Sequence, residues 1–80
     1  MKFAKLFDID ESTQVLVTRE LEEEDKEAPY KLKVSTDYNG MYALITYGFQ
    51  DEVKCDDAFD NYDLARATLF QSEIAKAIES

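Results

Sequence analysis

Apolar and polar positions alternate from Tyr30 to Tyr38, and a second strand-like run from Met41 to Phe49 follows across Asn39-Gly40. That dipeptide strongly favours a two-residue type I′ turn, which fixes the pairing of its flanking strands. With Asn39 and Gly40 as the loop, Tyr38 faces Met41, Thr36 faces Ala43, Val34 faces Ile45, Leu32 faces Tyr47 and Tyr30 faces Phe49, all on one side of the hairpin. Lys31, Lys33, Ser35 and Asp37 then face the other way. A one-residue slip would bring lysines into the core, so the register is strongly specified.

Working outward from this hairpin, Lys2 to Ile9 reads as a first strand with Phe3, Phe7 and Ile9 on one face and Ala4 and Leu6 on the other. Asp10-Glu11-Ser12-Thr13 is a reverse turn, because Asp and Ser side chains bond their own backbone locally. Gln14 to Leu21 forms a second strand, with Val15, Val17 and Arg19 sharing one face and Leu16 and Thr18 the other. The run from Glu22 to Pro29 is too charged to pack and reads as a mobile loop. Gln50 to Ala58 is acidic with Val53 and Cys55 as inward candidates, and either a short strand or a connection fits it. A helix then starts near Asn61, with Asp60 as cap, Asp63 closing a capping-box-like pair, and Phe59 stapled against Leu64. Leu64, Ala67, Phe70, Ile74, Ala77 and Ile78 fall on one helical stripe. The expected fold is α+β: residues 1–80 as one small domain, an antiparallel four-stranded meander with one C-terminal helix packed on one face. The long acidic loop leaves open a rival order with the first strand beside another neighbour.

The composition narrows the chemistry. The 80 residues contain 18 Asp and Glu against 9 Lys and Arg, a net charge of −9, with one cysteine and no histidine. A small core leaves only a few kcal/mol of stability, so single core side chains matter. The lone Cys55 cannot form an internal disulfide or join a Cys-His pair, and it reads as a free, half-buried thiol. Without histidine, a phosphate loop or a nucleophile elbow, nothing points to catalysis or to a cofactor. Asp8, Asp10 and Ser12 match the start of a calcium loop, but Thr13 stands where that loop needs glycine and Arg19 where it needs a bidentate glutamate. The start of the chain meets Lys5 and Asp8 too early for a signal-peptide core, and no apolar run is long enough to span a membrane, so the expected location is the cytoplasm. The negative charge disfavours direct contact with nucleic acid or an anionic membrane and favours a protein with a basic surface.

The carboxylates are unevenly placed. Glu20, Glu22, Glu23, Glu24, Asp25 and Glu27 form one block; Asp51, Glu52, Asp56 and Asp57, with Asp60 and Asp63, form another. Brought to one side, the blocks would make a strongly negative surface that steers onto a basic partner. Charge runs are also simply soluble surface. Tyr62, Ala65 and Leu69 make a second helical stripe, and Tyr42 and Leu44 fall on the open sheet face; these are the candidates for self-association, including a homodimer.

The segments Lys2-Phe3-Ala4-Lys5-Leu6-Phe7 and Thr13-Gln14-Val15-Leu16-Val17-Thr18, with Ala58-Phe59-Asp60 before the helix, resemble small uncharacterised acidic proteins encoded by bacteriophages and prophages. The resemblance implies a context in which such proteins include inhibitors of host defence or nucleic-acid-handling proteins, some acting as DNA mimics. The functional expectation is a non-enzymatic protein-binding module that uses an acidic surface. The alternative is a structural or assembly protein that self-associates through its sheet or helix face.

Overall fold

Asn39 and Gly40 adopt φ values of 51° and 79°, the left-handed region that a type I′ turn requires at both central positions. The turn sets the register the sequence predicts, with Tyr38 opposite Met41 and every pair in step to Tyr30 opposite Phe49. The computed structural model describes residues 4–79. Strands β1 (Ala4–Asp10), β2 (Thr13–Leu21), β3 (Tyr30–Tyr38) and β4 (Met41–Phe49) form one antiparallel sheet in the order β1-β2-β3-β4. The rival strand order is thereby removed. The Phe3 assignment lies outside the described residues.

Two helices, not one, cover the sheet: α1 (Glu52–Asn61) and α2 (Leu64–Glu79). The segment read as strand or connection is therefore helical. Its start is set by Asp51, whose carboxylate accepts the Val53 N–H at 2.9 Å, satisfying one of the donors a helix N-terminus leaves unpaired. Cys55 and Phe59, four residues apart, form its buried stripe, whereas Val53 is 62% exposed. Asp60 is no cap; it lies in the last turn of α1, and Phe59 is a core residue instead of a staple. Asp63 takes the cap of α2, accepting from the Arg66 N–H at 2.9 Å.

The core joins Val15, Val17, Leu32 and Val34 from the two central strands to Cys55, Phe59, Ala67 and Phe70 from the helices. Ile74 and Ile78 are half-buried, but Leu64 and Ala77, expected on the same stripe, are exposed. Lys5 shares the helix-covered face with Phe7 and Ile9, and its ammonium donates to the carbonyls of Phe59, Asp60 and Tyr62 at 2.5, 3.0 and 3.4 Å. It also sits 4.7 Å from the centroid of the Phe59 ring. The Phe59 carbonyl also accepts the Tyr62 N–H at 3.3 Å, so the cation adds a second donor there, supplies one to the Asp60 and Tyr62 carbonyls, and meets the negative end of the helix dipole. Beside it, the Phe7 and Tyr62 rings are 6.2 Å apart.

Candidate functional site

The last row of the sheet is Leu21, Tyr30 and Phe49, so the acidic segment 22–29 and the chain entering α1 leave from the same end. They are nevertheless drawn to opposite faces. Lys33, on the uncovered face, pairs with Glu20 at 2.8 Å and Glu22 at 3.6 Å, and Lys31 beside it pairs with Asp25 at 2.5 Å. Arg19, on the covered face, pairs with Asp56 and, at 3.6 Å, with Glu52. Of the acidic residues in the two blocks, Glu20, Glu22, Asp25, Glu52 and Asp56 are thus engaged in ion pairs within the fold. Asp51 serves as a cap, while Glu23, Glu24, Glu27 and Asp57 are exposed.

The acidic segment is pinned, contrary to its reading as a mobile loop. Glu22 donates its N–H to the Pro29 carbonyl at 2.8 Å, and one Asp25 oxygen accepts the N–H groups of Glu27 and Ala28, each at 3.2 Å. The Lys31 ammonium, followed by the Ala28 N–H, holds the Asp25 carboxyl below its usual pKa, and Glu20 raises that of Lys33. Gly48 makes the close approach of the loop workable. A Cβ there would lie 2.9 Å from the Cβ of Ala28.

A different surface stands out on β4. The pairs that exchange both hydrogen bonds alternate along an antiparallel ladder, and Tyr38 with Met41 is such a pair because it closes the turn. Hence Met41, Ala43, Ile45, Tyr47 and Phe49 bond to β3, while Tyr42, Leu44, Thr46 and Gly48 point their N–H and C=O groups out along the free edge. On the covered face burial fails across one row: Val17 is 0%, Val34 1% and Ile45 40% exposed. Met41 and Tyr47 are exposed as well, since the helices lie mainly over the other strands. On the open face Tyr42 and Leu44 are 65% and 50% exposed. Leu44 continues a row through Ser35 and Leu16 to Leu6.

Between β4 and α1 lies an open cleft of about 430 Å³ lined by Leu32, Tyr47, Phe49, Asp57, Ala58, Asn61, Tyr62 and Arg66. Tyr62 belongs to this cleft and to the junction between helices. Half-buried at the end of α1, with its hydroxyl pKa raised chiefly by burial, it is not part of an exposed stripe with Ala65 and Leu69, although both of those are exposed.

Cys55 is a free thiol, fully buried instead of half-buried, and burial raises its pKa. Asp10, from the calcium-like segment, accepts the Ser12 N–H at 2.9 Å, and Asp8 accepts from the Gln14 amide at 2.7 Å. No helix among the described residues is long and apolar enough to cross a membrane. Tyr42 and Leu44 lie exposed on the open face, where the sequence pattern places them, whereas Met41, Ile45 and Tyr47, which alternation assigned to the core, are exposed as well. No protein-family model, curated protein or solved structure matches this chain.

Proposed function

We propose that this chain is a non-enzymatic protein-binding module that docks by taking a partner strand on β4, with segment 22–29 and the start of α1 as an acidic rim. The observation that carries this reading is an uncharged edge strand with large side chains exposed on both of its faces. Strand addition of this kind draws affinity from main-chain hydrogen bonds and specificity from alternate side chains. The buried thiol and the carboxylates held by Lys and Arg support a role without catalysis.

A second reading, an inhibitor of the phage type that presents carboxylates in place of phosphates, is favoured by Glu23 and Glu24, which make no ion pair among the described residues. Affinity capture from source-cell lysate at low and high salt separates the two. The variants are Thr46→Pro, which removes an outward N–H without touching the β3 ladder, and Glu23→Lys with Glu24→Lys. Strand addition predicts a partner that survives high salt, is lost from Thr46→Pro and is kept by the lysine variant. A partner lost only from the lysine variant, and at high salt, would move the site to the acidic loop. Unchanged capture by Thr46→Pro would rule out the β4 edge.

A further inference from the structure

Resting on that reading of β4, we propose that the strand it receives is the β4 of a second copy, related by a two-fold axis through Ile45 and giving a continuous eight-stranded sheet with both helix layers on one side.

Charge is the first argument. A chain of net charge −9 repels its own copy, and contact is least opposed where no charge lies. From Tyr38 to Gln50 the sequence has no charged residue, its longest such run, and β4 sits inside it.

Register is the second. Antiparallel pairing about Ile45 sets residues whose numbers sum to 90 opposite one another, so all nine residues of β4 overlap. The outward-pointing groups of Leu44 and Thr46 then meet those of Thr46 and Leu44 in the copy, and Tyr42 meets Gly48, which completes the ladder. Large and small side chains alternate across the axis: Tyr47 against Ala43 and Leu44 against Thr46.

Area is the third. Met41, Tyr42, Leu44, Ile45 and Tyr47 are all exposed, and at about 150–250 Å² for a fully covered aromatic they offer on the order of 500 Å² per copy. Adding the newly paired backbone brings this toward the roughly 800 Å² per partner of a standard interface.

Sedimentation equilibrium of the full chain at concentrations up to about 100 µM tests the proposal, with tryptophan-free detection in the far ultraviolet and circular dichroism to confirm folding of each variant. The expected result is a dimer that tightens as salt rises, because screening relieves the repulsion between copies, and that weakens at least about tenfold in Thr46→Pro. Oxidative cross-linking tests the register without relying on that variant. Ile45→Cys meets its own copy at about 4.5 Å between Cα atoms, within disulfide reach, while Met41→Cys lies about 27 Å from its counterpart along the strand. The Ile45→Cys protein should link and the Met41→Cys protein should not. The buried Cys55 stays out of the reaction. A wild type that stays monomeric overturns the dimer, and so does a dimer in which the two cysteines link equally. If the monomer still loses a heterologous partner through Thr46→Pro, strand addition stands and only the identity of the occupant falls.

Discussion

Strands β1 and β4 both end the same sheet, yet β1 places Lys5, Asp8 and Asp10 within seven residues while β4 places no charge within nine. The pairing of β1 also shifts between Asp8 and Asp10, and its Lys5 points inward to the end of α1. Inward charges, edge charges and bulges are the usual protections of a sheet edge against further pairing. One edge is closed by such devices and the other has none. On the proposed reading the edge left without such devices is the one that pairs, and that comparison, more than the count of carboxylates, directs attention to β4.

The sharpest way to break the comparison is to remove what holds the protected side. Phe59 is 2% exposed beneath Lys5, and Phe59→Ala should cost about 3–5 kcal/mol in urea denaturation, as should Phe70→Ala from α2. Ile45→Ala, on the bare side, should cost well under half of that in the monomer; an equal loss would show that β4 is packed like the core. Arg19→Met comes next. It strands the partly covered Asp56, and a loss of about 1–2 kcal/mol is expected because the carboxylate still reaches water. Lys5→Met should lower stability by about 1 kcal/mol through the uncapped carbonyls of α1, and it should also raise concentration-dependent association by stripping a guard from the second edge. An unchanged association state would mean that Asp8, Asp10 and the bulge suffice.

The smallest effects concern the loop and the open face. Because Lys31 lowers the Asp25 pKa in the folded chain, the associated stabilisation is present above the unfolded-state value of about 3.9 and is lost as pH falls through the folded value. The Glu27 and Ala28 amide resonances should therefore titrate together below about pH 4, and Asp25→Asn should abolish that titration. Tyr42→Ser should change monomer stability by no more than about 0.5 kcal/mol; a larger shift in a thermal melt would show that the ring already has a partner within its own chain.

These contrasts were unequally legible in the amino-acid order. Asn39-Gly40 specifies both a turn and a register, so the hairpin could be read residue by residue. The first helix was harder because Asp60 and Asp63 both resemble caps and sit three residues apart, and Phe59 fits a staple as well as a core position. Cys55, Phe59 and Tyr62 do recur at helical spacing behind Asp51, which was the available signal. The exposure of Met41, Ile45 and Tyr47 had no such signal. Alternation reports the face a side chain takes, whereas burial depends on which strands the helices cover. Likewise, the acidic blocks were visible as runs, but their division between two faces depends on Lys31 and Lys33 on the uncovered face and Arg19 on the covered one.

The clamp from Lys5 onto the carbonyls of Phe59, Asp60 and Tyr62 spans 54 to 57 positions of sequence. A contact of that separation closes late, since a long loop must be ordered before the bond repays it, whereas the tight turn at Asn39-Gly40 forms within microseconds. At synthesis rates of about 5–20 residues per second, β1 emerges first and waits seconds for the helix end that fastens it. Strand β1 can pair with β2 as soon as the turn between them is made, but its fastening to the helix layer waits for residues 59–62.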